Sequence, residues 1–239
     1  MRTILVTSSR GVKSQDLHVM RHSLNKAFPH AKVVTIAPHI DDRWGSLRVT
    51  DPYNGQSIEK IATDFYSIKN GSVADVIYHA IQSREDYVKS PWDLVVAGCT
   101  YGSTLGLDIY HSGNASACML ATSLLSITSL CISQEIDPPI ESEVDVPPMS
   151  EEDLEPSFAP SYNTLPDILR KVETFEEGSC WNINIPRKPS MGVKSCQVSS
   201  SSIIRPVSQN VKQVQNNLGR DIQAVSEGYC TVSRIGYYF

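Results

Sequence analysis

The chain has 239 residues, 41% of them hydrophobic, enough for one large α/β domain or a domain with an appendage. A formal net charge of -5 gives no electrostatic reason to expect nucleic acid as a partner. The opening Met-Arg-Thr-Ile-Leu-Val-Thr is too short an apolar run for a signal peptide, and the longest apolar stretch, Ala115 to Ile132, is broken by Ser and Thr and falls short of a membrane span.

Thr3–Thr7 is a β-branched run that predicts a buried strand, followed by a turn at Ser8-Ser9-Arg10-Gly11. Leu17, Met20, Leu24, Ala27 and Phe28 recur at helical spacing, and Pro29 ends that helix. Lys32–Ala37 reads as a second strand closed by Pro38. Strand, helix and strand in this order, with near-continuous apolar strands, predict a parallel sheet covered by helices. Residues 39–60 are polar and read as a long loop; Phe65–Ile68 reads as a short strand and Ser72–Gln82 as a helix. Asp93–Ala97 is another buried strand, followed by a loop spaced by Gly98, Gly102 and Gly106. Ser112-Gly113-Asn114 opens a helix to about Leu125, and Ser129–Ser133 is the next strand.

Composition then changes. Residues 133–160 hold nine acidic and no basic side chains, with six of the fourteen prolines, and leave the rest of the chain at +4. Such a segment predicts a disordered or extended loop, a candidate docking arm for a protein partner. A short helix around Pro166–Val172 follows, then an alternating strand at Trp181–Ile185. Short alternating runs within 192–235, including Ile203–Val207 and Tyr229–Ile235, read as antiparallel hairpins. The expected division is a core at 1–133, the acidic loop at 134–160, and completion of the fold with a hairpin region at 161–239. The six cysteines (99, 118, 131, 180, 196 and 230) show no CxxC spacing and no Cys/His cluster, so a soluble cytoplasmic protein with free thiols is expected.

Five blocks in order resemble the SurE family. Met1–Gly11 is similar to that family's opening strand and turn, where an apolar run precedes Asn-Asp-Asp-Gly. Gly71-Ser72-Val73-Ala74-Asp75-Val76 is similar to its Gly-Thr-Pro-Ala-Asp segment, and Asp93 to Gly106 with Ser112-Gly113 to its DLVVSGIN-x-G-x-N-LG … YSGTV block. Trp181–Pro186 resembles LNVNVP, and Asp221 to Tyr229 resembles D-x-x-AV-x-EGY. The acidic stretch has no counterpart, and the chain ends at Phe239 without the longer extension common in the family. The resemblance implies a Rossmann-like three-layer α/β/α core with a mainly parallel sheet and a C-terminal β-hairpin extension. It also implies a homodimer or tetramer, and removal of phosphate from nucleoside monophosphates using one divalent metal, Mg²⁺ or Mn²⁺.

The same resemblance puts the family's metal-binding positions at Ser9, Arg10, Arg43 and Thr100, none of them a carboxylate. An arginine stays protonated and repels a cation, so the reading here is a SurE-fold protein without a metal site that acts by binding or assembly. The alternative is an active metal-dependent nucleotidase rearranged around Asp41, Asp42 or Asp108, where Asp41 and Asp42 read as a solvated loop. Ser112, Gly113 and Asn114 sit where the family holds phosphate at a helix start, and with Arg10 and Arg43 they form a candidate phosphate or nucleotide site. The competing reading is plain N-capping by Ser112 or Asn114 beside two surface arginines. The glycine-spaced loop lacks the Gly-Lys-Ser/Thr of a P-loop, and Ser103 lacks a nucleophile-elbow frame. His39 and His111 read as exposed loop residues, and Tyr237-Tyr238-Phe239 as an apolar tail that packs or docks.

Overall fold

Strand β1 (Thr3–Thr7) is buried along its whole length, as a β-branched run at the centre of a parallel sheet must be. The computed structural model describes residues 2–43, 45–50, 55–136, 158–201 and 220–236. Around β1 lie β2 (Lys32–Pro38), β3 (Ser57–Ala62), β4 (Phe65–Lys69), β5 (Leu94–Tyr101), β6 (Ser129–Gln134), β7 (Cys180–Ile185), β8 (Val193–Ser195) and β9 (Cys230–Ile235). They form one sheet in the order β3-β4-β2-β1-β5-β6-β7-β9-β8. The run from β4 through β2, β1, β5 and β6 to β7 is parallel throughout.

Side-chain alternation divides the core into two layers. Ile4 and Val6 of β1, with Leu94 and Val96 of β5, pack with Leu17, Met20 and Leu24 of helix α1 (Gln15–Ala27) and Leu165, Ile168 and Leu169 of α4 (Ala159–Arg170). Leu5 and Val95 point the other way, against Val73, Val76 and Ile77 of α2 (Val73–Gln82) and Leu120 and Ala121 of α3 (Gly113–Leu125). Two helix layers thus enclose a mostly parallel sheet, the predicted fold class. No helix among the described residues is long and apolar enough to cross a membrane.

Several elements differ from the sequence reading. β3 falls inside the expected loop 39–60; it is an edge strand paired antiparallel to β4, and its Ser-Ile-Glu-Lys-Ile-Ala has no apolar face to betray it. β5 continues to Tyr101, past Gly98, because its pairing to β6 resumes after a register shift between Ala97 and Thr100. α4 is a full twelve-residue helix, with one proline in its first turn and Pro166 inside it. The acidic segment lies outside the described residues from 137 to 157, as do Ile203–Val207 and Tyr237–Phe239. Of the region read as hairpins, β9 is antiparallel to β7 but parallel to β8, with helix α5 (Arg220–Ser226) directly before it. These strands complete the main sheet.

Candidate functional site

The chain runs from β1 to β2 on one side of β1, and β5 lies on the other. The crevice beyond the carboxyl ends of β1 and β5 is therefore the topological switch point, where open α/β sheets bind ligands. Three segments meet there: the turn after β1, the loop after β2, and the passage from β5 into α3.

The first two close on each other through Gly11. Its φ of 87° is left-handed, and a Cβ at this position would come within 2.8 Å of the Ile40 carbonyl carbon. The Ser9 carbonyl accepts the Asp42 N–H at 2.6 Å. The third segment docks through Asn114 and Gly113. Asn114, 1% exposed, accepts the Ser9 N–H on Oδ1 at 2.7 Å. A Cβ on Gly113 would meet the Ser9 Cβ at 2.9 Å, and the Gly113 N–H donates to the Arg43 carbonyl at 3.1 Å. Ser112 is the N-cap of α3, its hydroxyl accepting the Ala115 N–H at 3.3 Å.

Arg10 stands at the centre. Its side chain is 12% exposed, and its guanidinium carbon lies 3.7 Å from the centroid of the Tyr101 ring. One terminal nitrogen is 3.5 Å from Asp16 Oδ1, and Nε is 4.0 Å from Asp41 Oδ2. Buried Nε makes no hydrogen bond. Arg43 lies on the same ring at 5.0 Å, but its donors are taken: a fork to Asp41, with Nε to Oδ2 at 2.9 Å, and a terminal nitrogen to the Tyr101 hydroxyl at 2.7 Å. Arg43 is thus satisfied and Arg10 is not.

Asp16, in the first turn of α1, is fully buried and accepts the Ser8 hydroxyl at 3.0 Å. Burial pushes its pKa from 3.8 up to about 6, against the opposing pull of the Arg10 charge and hydrogen bonds from Ser14 and Ser8. With the folded value above the unfolded one, its contribution to stability is fully present below about pH 3.8 and is lost as pH rises through about 6. Two pH units correspond to roughly 3 kcal/mol. Unfolding free energies of the native chain and D16N should therefore diverge by about that much between pH 7 and pH 4, the aspartate gaining at low pH. Parallel profiles would refute the assignment.

The structure gathers Ser9, Arg10, Arg43, Ser112, Gly113 and Asn114 into one cluster beyond the carboxyl ends of β1 and β5. Thr100 is held differently: its hydroxyl pairs with Ser133 at 3.3 Å, in a network that reaches Thr104. Asp42 is no solvated loop residue, being 11% exposed and bound to Arg48 at 2.6 Å, and Asp41 is held by Arg43. Arg10 is not a surface arginine, and Asn114 is a tie to Ser9, not a cap. Asp108 is buried in the 3-10 turn Gly106–His111, while His39 and His111 are exposed. Sequence reading missed Tyr101, which stood unremarked between glycines, and Asp16, which looks like an ordinary acidic residue in a helical first turn.

A mostly parallel sheet between two helix layers, with an arginine-centred polar cluster at its switch point, defines a Rossmann-like three-layer α/β fold. Residues 4–205 match the family model described as Survival protein SurE, and the chain belongs to that family. It is 26% identical to the 5'-nucleotidase SurE of Campylobacter jejuni over 98% of this chain and 92% of that one. With the 5'-nucleotidase SurE of Helicobacter hepaticus it shares 31% identity over 56% of this chain and 48% of the other. The crystal structure of the SurE protein from Aquifex aeolicus superposes with a TM-score of 0.73 at 22% identity, covering 98% and 92% of the two chains.

Proposed function

We propose that this protein is a SurE-fold binding protein that takes a phosphate-bearing anion, a nucleoside monophosphate or free phosphate, on the Arg10 guanidinium without a catalytic metal. The observation that carries the reading is Arg10 itself: a largely covered, stacked cation whose Nε makes no hydrogen bond, at the switch point. The nucleotide is suggested by the relatives, which are named 5'-nucleotidases. Ser112, Gly113 and Asn114 lie beside Ser9 and Arg43, although the N–H groups of Gly113 and Ala115 already have acceptors.

A divalent cation fits these residues poorly. It needs anionic oxygens in place of its hydration shell. Here Asp16 and Asp41 face Arg10, the Thr100 hydroxyl is spent on Ser133, and Arg10 carries a permanent like charge. Among the described residues, no group of three His, Cys, Asp or Glu side chains is gathered. The second reading, a metal-dependent nucleotidase with a rearranged site, draws on the names of the relatives and on the orphan Oδ2 of Asp42.

A colorimetric phosphatase assay with Mg²⁺, Mn²⁺ and Zn²⁺ against nucleoside monophosphates separates the two. The expected result is no turnover by the native chain; turnover that depends on metal and fails in D42N would establish the second reading. We also expect a homodimer or tetramer, supported by the exposed Val193 in the outermost strand β8 and the exposed Met191 just before it. Light scattering should give a multiple of the 26.4 kDa chain mass, and a strictly monomeric mass would overturn this. The acidic segment 134–160 is the proposed arm for a protein partner.

A further inference from the structure

We infer that Asp16 is the positioning residue that sets the anion affinity of this crevice: its buried carboxylate is an internal competitor for the Arg10 guanidinium, which an outside anion must displace. The inference rests on the anion-binding reading above. Three observations lead to it. Arg10 is confined, its face covered by Tyr101 and its side chain nearly buried, so it cannot swing out to meet a ligand. Its contact with Asp16 Oδ1, at 3.5 Å, lies at the outer limit of a hydrogen bond, so the pair is held more by charge than by geometry. Ser8 ties both partners in place, donating its hydroxyl to Asp16 Oδ2 and accepting the Arg10 N–H at 3.2 Å.

A fully buried carboxylate held by the Ser8 and Ser14 hydroxyls and one long guanidinium contact is still expensive to keep charged, and protonation relieves that cost. The charged and titratable groups that face it are Arg10 from the turn after β1, Arg43 from the loop after β2, and the Cys99 thiol from β5. Burial raises the Cys99 pKa far above neutrality, so that thiol stays uncharged. Asp41, the other carboxylate near Arg10, is occupied by the Arg43 fork. Arg10, Arg43, Asp16 and Asp41 therefore sum to zero charge when Asp16 is ionised and to a single positive charge when it is protonated. Binding an anion couples to partial uptake of a proton by the Asp16 carboxylate, and no other bond changes.

Sulfate is the suitable probe, since it does not titrate over the pH range concerned. Calorimetry on the full chain should show sulfate binding about ten-fold tighter at pH 5.5 than at pH 8. D16N should bind at pH 8 at least as tightly as the native chain does at pH 5.5, with a nearly flat profile. Native protein at pH 7 should also take up a fraction of a proton with each sulfate, read from the dependence of the heat on buffer ionisation enthalpy. That measurement needs no variant, so a D16N chain that failed to fold would not shelter the inference. Sulfate binding with no proton uptake, or the same pH profile in D16N, overturns the role of Asp16 and leaves the anion site standing. No sulfate binding at any pH, in either protein, overturns both.

Discussion

Replacing Arg10 by leucine (R10L) should weaken binding of a nucleoside monophosphate by about a hundred-fold while leaving the fold intact. The magnitude follows from the interaction removed. A charge-assisted hydrogen bond to phosphate contributes about 1.5–3 kcal/mol, and a guanidinium offers two in parallel. The fold should survive because Arg10 makes no short hydrogen bond with its side chain, and leucine can still lie on the Tyr101 ring. R10L does leave Asp16 without its cation, which costs stability near neutral pH and less below pH 6. Arg43 provides the contrast. Its guanidinium is consumed by Asp41 and Tyr101, so R43L should mainly loosen the loop after β2, with a smaller loss of affinity. Equal losses in the two variants would mean that the anion site is not centred on Arg10.

The largest effect on stability is expected at Asp221. This side chain is fully buried and accepts three backbone N–H groups: Gly106 at 2.9 Å, Ser199 at 2.8 Å and Ile222 at 2.9 Å. It thereby ties the passage from β5 to α3, the segment after β8, and α5 to one point. D221A leaves these donors without their acceptor in a place water does not reach, at a cost of roughly 3–5 kcal/mol. In a chain of this length that corresponds to a fall of about 10 °C in melting temperature. D221N should fall in between, since it keeps one acceptor oxygen but turns an NH₂ toward a donor. A melting temperature unchanged in D221A would show that these hydrogen bonds do not hold the segments together.

The readable part of the fold is the part written in apolar patterning. β1, α1, β2, α2, α3, β6 and β7 all announce themselves, because their inward faces must be Val, Ile, Leu or Ala at period two or 3.6. β3 did not, since an edge strand of Ser, Glu and Lys buries little and is recognised only by its pairing with β4. The parallel pairing of β8 to β9 was equally hidden: the short alternating runs within 192–235 read as hairpins, and sequence carries no sign of strand direction. At the site, the resemblance located Arg10, Arg43 and Ser112–Asn114, all of which come together. It could not locate Asp16 or Tyr101, whose roles depend on which residue they face. Asp16 acquires meaning only once Ser8 and Arg10 are seen folded over it, and Tyr101 only once two guanidinium groups lie on its ring.

In this member of the SurE family we propose that a guanidinium, not a metal ion, receives the phosphate. Titrating a nucleoside monophosphate into the chain by calorimetry, once with excess EDTA and once with millimolar Mg²⁺ or Mn²⁺, tests it most directly. The affinity should be the same in both conditions, binding should be lost in R10L, and no phosphate should be released over the course of the titration. Binding that disappears in EDTA and returns with the metal, accompanied by hydrolysis, would contradict it.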